Sequence, residues 1–362
     1  MRGAAPLKRA DCGSIRVRNK WLPVVCQHAS AAVIRGVLRE MVTTDRTSTK
    51  HARAIRRRNR ANHGDTFYGF LFISPWIVGF LVLTAGPMVA SLLLAFTRYD
   101  FLRPLKWVGF QNFVHMFTKD YYFWNSLWVT AKWVLFREPI MILIGLVVAL
   151  LLNRGLRVIG LFRMLFYLPS VIAGTVATAV MWKMLLGKDG QLNTFLAFFG
   201  VPSVSWFQSP RYAFWTLALT SFIGFGGEMM IFLAGLKNIP PSLYEAAVID
   251  GARPSQQFFR ITIPMLSPVL FFVMVMGTIS AFQYFTSAFV ITQGGPLAKT
   301  MFYMINLYRN AFQYSKAGYA SSLAWVLFWI IVLVTLAIFR TSNLWVFYET
   351  EVRAKKVSRK AG

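Results

Sequence analysis

Residues Ile239–Pro268 read IPPSLYEAAVIDGARPSQQFFRITIPMLSP, and this stretch decides the fold because it interrupts a series of long apolar runs. Ser242 lies three residues before Glu245, which is the spacing of a capping box at the start of a helix. The helix is expected to run to about Asp250. Gly251 is expected to end it, because glycine adopts the left-handed conformation without strain.

A second short helix is expected after this turn. Pro254 is well placed to open it, because the missing N–H is not needed in the first helical turn. Pro264 and Pro268 are expected to break the chain before the next apolar run. The stretch therefore predicts a helix–turn–helix that lies across a membrane surface. Taken alone, these residues fit a loop resting on lipid headgroups as well as a docking site for another protein.

The composition indicates that the rest of the chain lies in a membrane. It is 56% hydrophobic and only 14% charged, whereas a soluble domain has a larger charged surface. Long apolar runs bounded by charged or turn residues predict an all-α membrane protein with six transmembrane helices. The spans are expected at about residues 67–96, 126–152, 164–186, 212–236, 269–292 and 319–339, with interruptions at prolines such as Pro139.

The basic residues predict three regions and an orientation. Residues 1–64 are predicted to be a disordered basic extension, residues 65–340 the six-span domain, and residues 341–362 a basic tail. With both termini in the cytoplasm, inner segments hold 27 Lys and Arg and outer loops hold nine, as the positive-inside rule requires. The net charge of +26 is therefore assigned to topology and not to nucleic-acid binding. Met41 is an alternative translation start to Met1.

Ionisable residues inside the predicted spans are candidates for function. Glu228 lies within the fourth span, where a charged group costs about 2.5–3.5 kcal/mol on insertion scales. It is expected to face a pathway or to pair with a cation of another helix, such as Lys183. Arg137 and Glu138 are expected to form a local ion pair near the outer surface.

The helix–turn–helix resembles the EAA loop of ABC-importer permeases. The match comprises Glu-Ala-Ala, three residues, Gly, nine residues and Ile-x-x-Pro, with Ile263 in place of the usual Leu. In that family the loop forms a coupling helix that docks on the ATPase subunit. The resemblance assigns this docking to Glu245, Ala246, Ala247, Asp250, Gly251, Ile261 and Pro264.

Other segments narrow the resemblance to sugar-importer permeases of the maltose and glycerol-3-phosphate type. The likeness covers about Phe67–Phe339, and its motifs are Phe72–Trp76, Tyr167–Ser170, Asp189–Asn193, Phe232–Leu236 and Thr292–Pro296. It implies the six-helix fold of type I importer permeases. It also implies a place in the bacterial cytoplasmic membrane, with both termini in the cytoplasm.

The resemblance further implies an ATP-driven, binding-protein-dependent carbohydrate importer. This chain would form its translocation pathway beside a second, homologous permease, two ATPase subunits and an extracytoplasmic solute-binding protein. The sequence lacks GxxxxGK[ST], so ATP is expected on the ATPase subunits, and no cofactor, metal site or catalytic residue is expected in this chain. The sugar itself is not specified. Sugar contacts are expected from polar residues of the fourth and fifth spans: Thr220, Ser221, Glu228, Ser280, Gln283 and Tyr284.

An ion-coupled secondary transporter is the alternative function. It would use Glu228 and Glu138 as proton sites and would need no ATPase. It leaves the spacing of the EAA-like loop unexplained. A membrane enzyme is less well supported, because three of the four histidines lie in residues 1–64 and His115 is alone in an outer loop.

Overall fold

A computed structural model of the chain describes residues 15–17, 20–22, 68–101, 103–153 and 159–347. Short antiparallel pairs join β1 (Ile15–Val17) to β2 (Lys20–Leu22) and β3 (Thr97–Arg98) to β4 (Lys106–Trp107). The predicted boundaries of the extension and the tail fall largely outside the described residues, so the division into three regions stays a prediction. Residues before and after Ala85 form separate compact units, and the packing below is that of the second unit.

Helices make up most of the described chain. In order they are α1 (Tyr68–Ala95), α2 (Gln111–Thr118), α3 (Tyr121–Leu152), α4 (Ile159–Ile172), α5 (Val176–Leu185), α6 (Gln191–Phe198), α7 (Ala213–Lys237), α8 (Pro241–Ile249), α9 (Ile263–Phe282), α10 (Thr286–Ile291), α11 (Tyr303–Tyr308) and α12 (Ala317–Trp345). Two further helical segments precede α9 without a gap: Pro254–Gln257 and a π-helical turn, Phe258–Thr262. The helix is therefore continuous from Pro254.

The predicted all-α membrane architecture is confirmed. Among the described residues, five helical segments are long and apolar enough to cross a membrane: α1, α3, α7, Pro254–Ile291 and α12. Helices α4 and α5 pass the same test together, although they are bent by 97° at a short break. Counted as one span, this pair gives the six spans that the sequence predicts.

The bend between α4 and α5 was not predicted, since residues 164–186 were expected to form one span. Gly174 turns the chain with a φ of +80°. Thr175 then caps α5 by accepting a hydrogen bond from the N–H of Thr178, and the Thr178 hydroxyl donates to the carbonyl of Ile172 at 2.6 Å. Hydroxyl groups thus satisfy backbone atoms that the break exposes, which makes a sharp bend possible inside an apolar region.

The prolines of the membrane helices do not break them, contrary to the prediction. Helix α3 continues through Pro139, and the fifth span continues through Pro264 and Pro268. Pro268 cannot bond the carbonyl of Pro264, but the Ser267 hydroxyl donates to that carbonyl at 2.7 Å. A side chain therefore replaces the missing backbone hydrogen bond, and the helix stays intact.

Helix α3 lies at the centre of the second unit. It contacts α7 and α9 extensively, and its buried residues belong to two apolar clusters. One cluster surrounds Trp133 and includes Phe302 and Tyr303, and the other joins Leu146 to Phe232 and Leu266. This arrangement brings the middle of α3 against the two helices that carry the predicted pathway residues.

Candidate functional site

The loop that resembles a coupling helix folds as a short helix and a turn, as predicted, but the expected second short helix is the first part of the continuous helix that leads into α9. The start of the loop also differs from the prediction. Helix α8 starts at Pro241, with Pro240 as its N-cap and no side-chain hydrogen bond at that cap. The capping box between Ser242 and Glu245 is therefore wrong. Proline fixes the φ angle of the first turn in advance and has no N–H to satisfy, so the helix starts two residues earlier than predicted, without a side-chain cap.

The turn after α8 has the predicted glycine geometry. Gly251 has a φ of +74°, and the N–H of Ala252 donates back to the carbonyl of Ala247 at 2.8 Å. The next helical turn starts at Pro254, as expected, with the N–H of Arg253 donating to Oε1 of Gln256 at 2.8 Å. A Cβ atom added to Gly251 would meet nothing within 4 Å in this chain.

One side of this loop is exposed and the other is attached to the membrane helices. Ile249 is 86% exposed, and Val248 and Phe259 are also exposed. On the other side, the Tyr244 hydroxyl lies 2.9 Å from the hydroxyl of buried Thr262. Of the residues assigned to docking, the exposed group is Glu245, Ala246, Asp250 and Gly251, and the half-buried group is Ala247, Ile261 and Pro264.

The predicted pathway residues differ in their contacts. Thr220 and Ser221 donate to the carbonyls of their own helix, at 2.9 Å and 2.7 Å. Ser280 and Gln283 are exposed and have no side-chain hydrogen bond to any described residue. Tyr284 stacks on buried Trp133, with ring centroids 4.2 Å apart. Among the described residues, no hydrogen bond, ion pair or ring contact joins the side chains of any two of these six residues.

Glu228 does not pair with Lys183, so that prediction is wrong. The Lys183 ammonium lies 3.5 Å from the carbonyl oxygen of Val290, and Glu228 has no ion pair within the described part of the chain. Glu228 instead lies where α7 packs against Gly145 of α3. A Cβ atom added to Gly145 would be 3.0 Å from the Cβ atom of Glu228.

The ion pair of Arg137 and Glu138 is confirmed, with Nη1 and Oε2 3.1 Å apart. Its expected place near the outer surface is wrong, because the pair lies midway along α3 and Glu138 is 3% exposed. The carboxylate packs against Gly277 of α9 so closely that any Cβ there would overlap it. Sequence reasoning missed Gly277, since nothing in the sequence around it marks a contact with a charged group.

Comparison with known proteins identifies similarities over most of the chain. Residues 141–346 match the family model described as "Binding-protein-dependent transport system inner membrane component". The chain is 48% identical to the probable ABC transporter permease protein YesP of Bacillus subtilis, over 82% of this chain and 96% of that protein.

Two further relatives have names that state a carbohydrate substrate. The lactose transport system permease LacF of Rhizobium radiobacter is 32% identical over 79% of this chain and 94% of its own length. The sulfoquinovosyl glycerol transport system permease SmoG of Agrobacterium fabrum is 30% identical over 77% of this chain and 92% of its own length. These matches support a sugar permease and give no support to the ion-coupled alternative.

The fold also resembles a solved importer. A chain of a bacterial ABC transporter involved in import of the acidic polysaccharide alginate matches 79% of this chain and 98% of its own length, with a TM-score of 0.66 and 22% identity. The same type of transporter in complex with its periplasmic protein matches with a TM-score of 0.65 and 22% identity. At this level of identity the likeness concerns the fold alone.

Proposed function

Because this chain belongs to the inner membrane components of binding-protein-dependent transport systems, we propose that it is a permease subunit of an ATP-driven carbohydrate importer. It forms part of the path by which a sugar crosses the bacterial cytoplasmic membrane. The observation that carries this proposal is the 48% identity to an ABC transporter permease over 96% of that protein's length. Relatives whose names state lactose or arabinooligosaccharides support carbohydrate as the substrate class.

The exposed loop between α7 and α9 is the proposed contact with the ATPase. Its tip presents the apolar side chains of Val248 and Ile249 beside the acidic side chains of Glu245 and Asp250. A group of exposed apolar side chains next to charges is typical of a protein interface. Two ATPase subunits bind ATP, and this chain, which lacks a phosphate-binding loop, docks on one of them.

The other proposed partners follow from the same function. A second, homologous permease completes the pathway, and an extracytoplasmic solute-binding protein delivers the sugar. Both termini of this chain lie in the cytoplasm, which places the loop between α7 and α9 on the ATPase side. In this proposal ATP is bound by the ATPase subunits, and no catalytic residue or cofactor is assigned to this chain.

The attachment of the loop to α9 supplies a mechanism. The hydrogen bond between Tyr244 and Thr262 ties α8 to the helix that continues into α9. Closure of the ATPase dimer around ATP displaces α8, and α9 moves with it because the two are joined. Since α9 packs on α3 and α12, this movement changes the path between the helices, which is the basis of alternating access.

The experiment that tests this function is purification of the tagged chain from native membranes in mild detergent, followed by mass spectrometry and reconstitution. We expect an ATPase with a phosphate-binding loop and a second permease to copurify, and reconstituted vesicles to import sugar only with ATP and the binding protein. A chain that purifies alone and transports without ATP would refute the proposal.

A further inference from the structure

A cavity of about 690 Å³ lies at the ends of the membrane helices. Its walls are formed by β3 and the two residues after it, by α2, and by the residues at the start of α12. Helix α1 ends at Ala95, α3 begins at Tyr121 and α12 begins at Ala317. The cavity therefore lies at the level where three helices leave the apolar part of the membrane.

Side-chain contacts fix the walls of this cavity. The side-chain amide of Asn112, in α2, donates to the carbonyls of Ala95 and Thr97 at 2.8 Å and 2.9 Å, so α2 is attached to the end of α1. The ring of His115 packs edge-on against that of Tyr319, with centroids 5.4 Å apart, and attaches α2 to the start of α12. Three segments that are bonded to one another thus enclose the cavity.

The cavity has more cations than anions in its lining. Arg98, Lys119 and Lys316 line it, and their side chains have no ion pair or hydrogen bond with any residue that the structure describes. The carboxylate of Asp100 also lines it, but Nε of Arg103 lies 3.7 Å from this carboxylate and partly balances its charge. Arginine and lysine bind phosphate by charge-assisted hydrogen bonds. The lining therefore favours a phosphate group.

Helix α2 presents an apolar face beside the cavity. Phe110, Val114 and Phe117 are all exposed, and their spacing of four and three residues places them on one face. A short helix with an exposed apolar face beside basic residues is typical of a helix that lies in the lipid interface. Trp107 and Trp124, which flank α2 in the sequence, are also exposed, and tryptophan is enriched at this level of a membrane.

The membrane part of α1 next to the cavity is apolar on its surface. Val89 and Leu93, one helical turn apart and close to the end of α1, are both exposed. A lipid with its phosphate in the cavity would place its acyl chains along such side chains. A soluble anion would use the cations alone and leave the apolar face of α2 in water. The combination of cations with apolar side chains at one level therefore favours a phospholipid.

We propose that this cavity binds the phosphate headgroup of an anionic phospholipid. The lipid belongs to the leaflet on this side of the membrane, which is the outer leaflet in the proposed orientation. Arg98 of β3, Lys119 at the end of α2 and Lys316 before α12 bind the phosphate, so the lipid joins the ends of α1, α2 and α12. The inference goes beyond the proposed function, because it concerns neither the sugar nor the ATPase.

The test measures lipid binding to the purified transporter. This chain, with the subunits that copurify, is freed of lipid in an uncharged detergent and titrated with phosphatidylglycerol, with zwitterionic phosphatidylcholine, or with glycerol phosphate, a soluble phosphate without acyl chains. Native mass spectrometry counts the bound lipids, and thermal unfolding shows whether they stabilise the protein. No sugar, ATP or binding protein is present, so the result does not depend on transport.

We expect the wild type to bind phosphatidylglycerol about 10-fold or more tightly than phosphatidylcholine, since each basic residue near an anionic lipid contributes roughly 5-fold. The triple variant Arg98→Gln/Lys119→Gln/Lys316→Gln should lose this preference and the rise in melting temperature that the lipid produces. All three side chains are exposed, so their replacement should leave the fold intact. Glycerol phosphate should not displace the lipid at equal concentration.

The matched control is Lys188→Gln/Arg211→Gln/Lys299→Gln. It removes the same charge from exposed positions that do not line the cavity, and it should keep the preference of the wild type.

Four results would overturn the inference. A wild type without the preference would remove the lipid site, and equal loss in both triple variants would assign the preference to total charge. Displacement of the lipid by glycerol phosphate would assign the cavity to a soluble phosphate. A cavity variant that keeps the preference but no longer binds the solute-binding protein would assign the cavity to a protein contact. Loss of ATP-dependent uptake with unchanged lipid binding would instead refute the proposed function and leave this inference standing.

Discussion

Glu138 of α3 and Gly277 of α9 form a close contact between the two helices. The carboxylate occupies the volume that any larger side chain at position 277 would need. Because the overlapping atoms are the end of the Glu138 side chain, a Cβ at position 277 would force this carboxylate, and with it the ion pair to Arg137, to move. Gly277 therefore helps to position the ion pair of Arg137 and Glu138, although it has no functional group of its own.

Gly277→Ala should destabilise the protein. The added methyl group overlaps the Glu138 carboxylate, and overpacking of this kind costs about 1–3 kcal/mol. Thermal unfolding of the purified chain in detergent measures the loss. Gly79→Ala is the matched control, because a Cβ at Gly79 meets nothing within 4 Å. Equal melting temperatures for Gly277→Ala and the wild type would contradict the close contact.

Gly251→Asn separates helix termination from docking. Asn tolerates the left-handed conformation at φ +74°, and the added side chain meets nothing in this chain, so the variant should fold and melt like the wild type. If an ATPase packs against Gly251, the same variant should lose most of the copurifying ATPase. Gly200→Asn is the control, since Gly200 has a φ of +75° and open space on the opposite side of the membrane helices. Full recovery of ATPase with Gly251→Asn would argue against contact at this residue.

The membrane helices are not uniformly apolar, because they contain prolines and hydroxyl side chains that bond the backbone. Ser267 has two such roles: its hydroxyl donates to the carbonyl of Pro264 and accepts from the N–H of Phe347, at 2.9 Å. The second bond ties the end of the last span to the start of the fifth. A polar side chain in a membrane helix can therefore replace a missing backbone hydrogen bond in its own helix and also bind a second segment.

Ser267→Ala tests this role. It leaves the carbonyl of Pro264 and the N–H of Phe347 without this partner, and loss of one hydrogen bond costs about 0.5–1.5 kcal/mol. We expect a lower melting temperature and faster amide hydrogen exchange at Phe347. Ser280→Ala, an exposed serine near the other end of α9, should change neither. Unchanged exchange at Phe347 would show that the bond does not hold the last span.

Sequence patterns predicted which segments are helical better than they predicted where the helices begin, bend and end. Apolar runs predicted the membrane helices, and Gly251 predicted the turn of the loop. Both features depend on residues that are close together in the sequence. The sharp bend at Gly174 and the continuity through Pro268 depend on hydroxyl groups that bond particular carbonyls. Such bonds form only in the folded arrangement, so spacing along the chain could not reveal them.

Only part of the candidate site was predicted, because most of its contacts join residues that are far apart in the sequence. The ion pair of Arg137 and Glu138 follows from adjacency in the sequence. The partner of Glu228 did not follow, because a charged residue on one helix can meet groups of any other helix. The contacts of Glu138 with Gly277 and of Trp133 with Tyr284 join residues more than 130 positions apart. These contacts required the packed helices.

The whole molecule has an orientation that the basic residues predict but the fold does not determine. Most of the inner Lys and Arg are in the terminal segments, while the inner loops are no richer than the outer ones. The orientation therefore depends on the termini. It decides which face would meet the proposed ATPase and which would meet the proposed binding protein.

Labelling of single cysteines tests this orientation. After Cys12 and Cys26 are replaced by Ser, a cysteine is placed at Lys188, between α5 and α6, or at Gln256, in the loop between α7 and α9. Both positions are exposed. In intact spheroplasts, a membrane-impermeant maleimide should label the first and not the second, whereas inverted vesicles should give the opposite result. Labelling of Gln256→Cys from outside would reverse the proposed topology.

The unbroken helix from Pro254 to Phe282 has a mechanical consequence. At 1.5 Å per residue it is a rod about 44 Å long, with the loop between α7 and α9 at one end and Gly277 near the other. Its buried residues run from Leu266 to Phe282, so the far part of the rod is packed among the neighbouring helices. A displacement of the loop end is therefore transmitted along one continuous helix to the contact between Gly277 and Glu138. Pro264 and Pro268 lie within this rod and do not divide it.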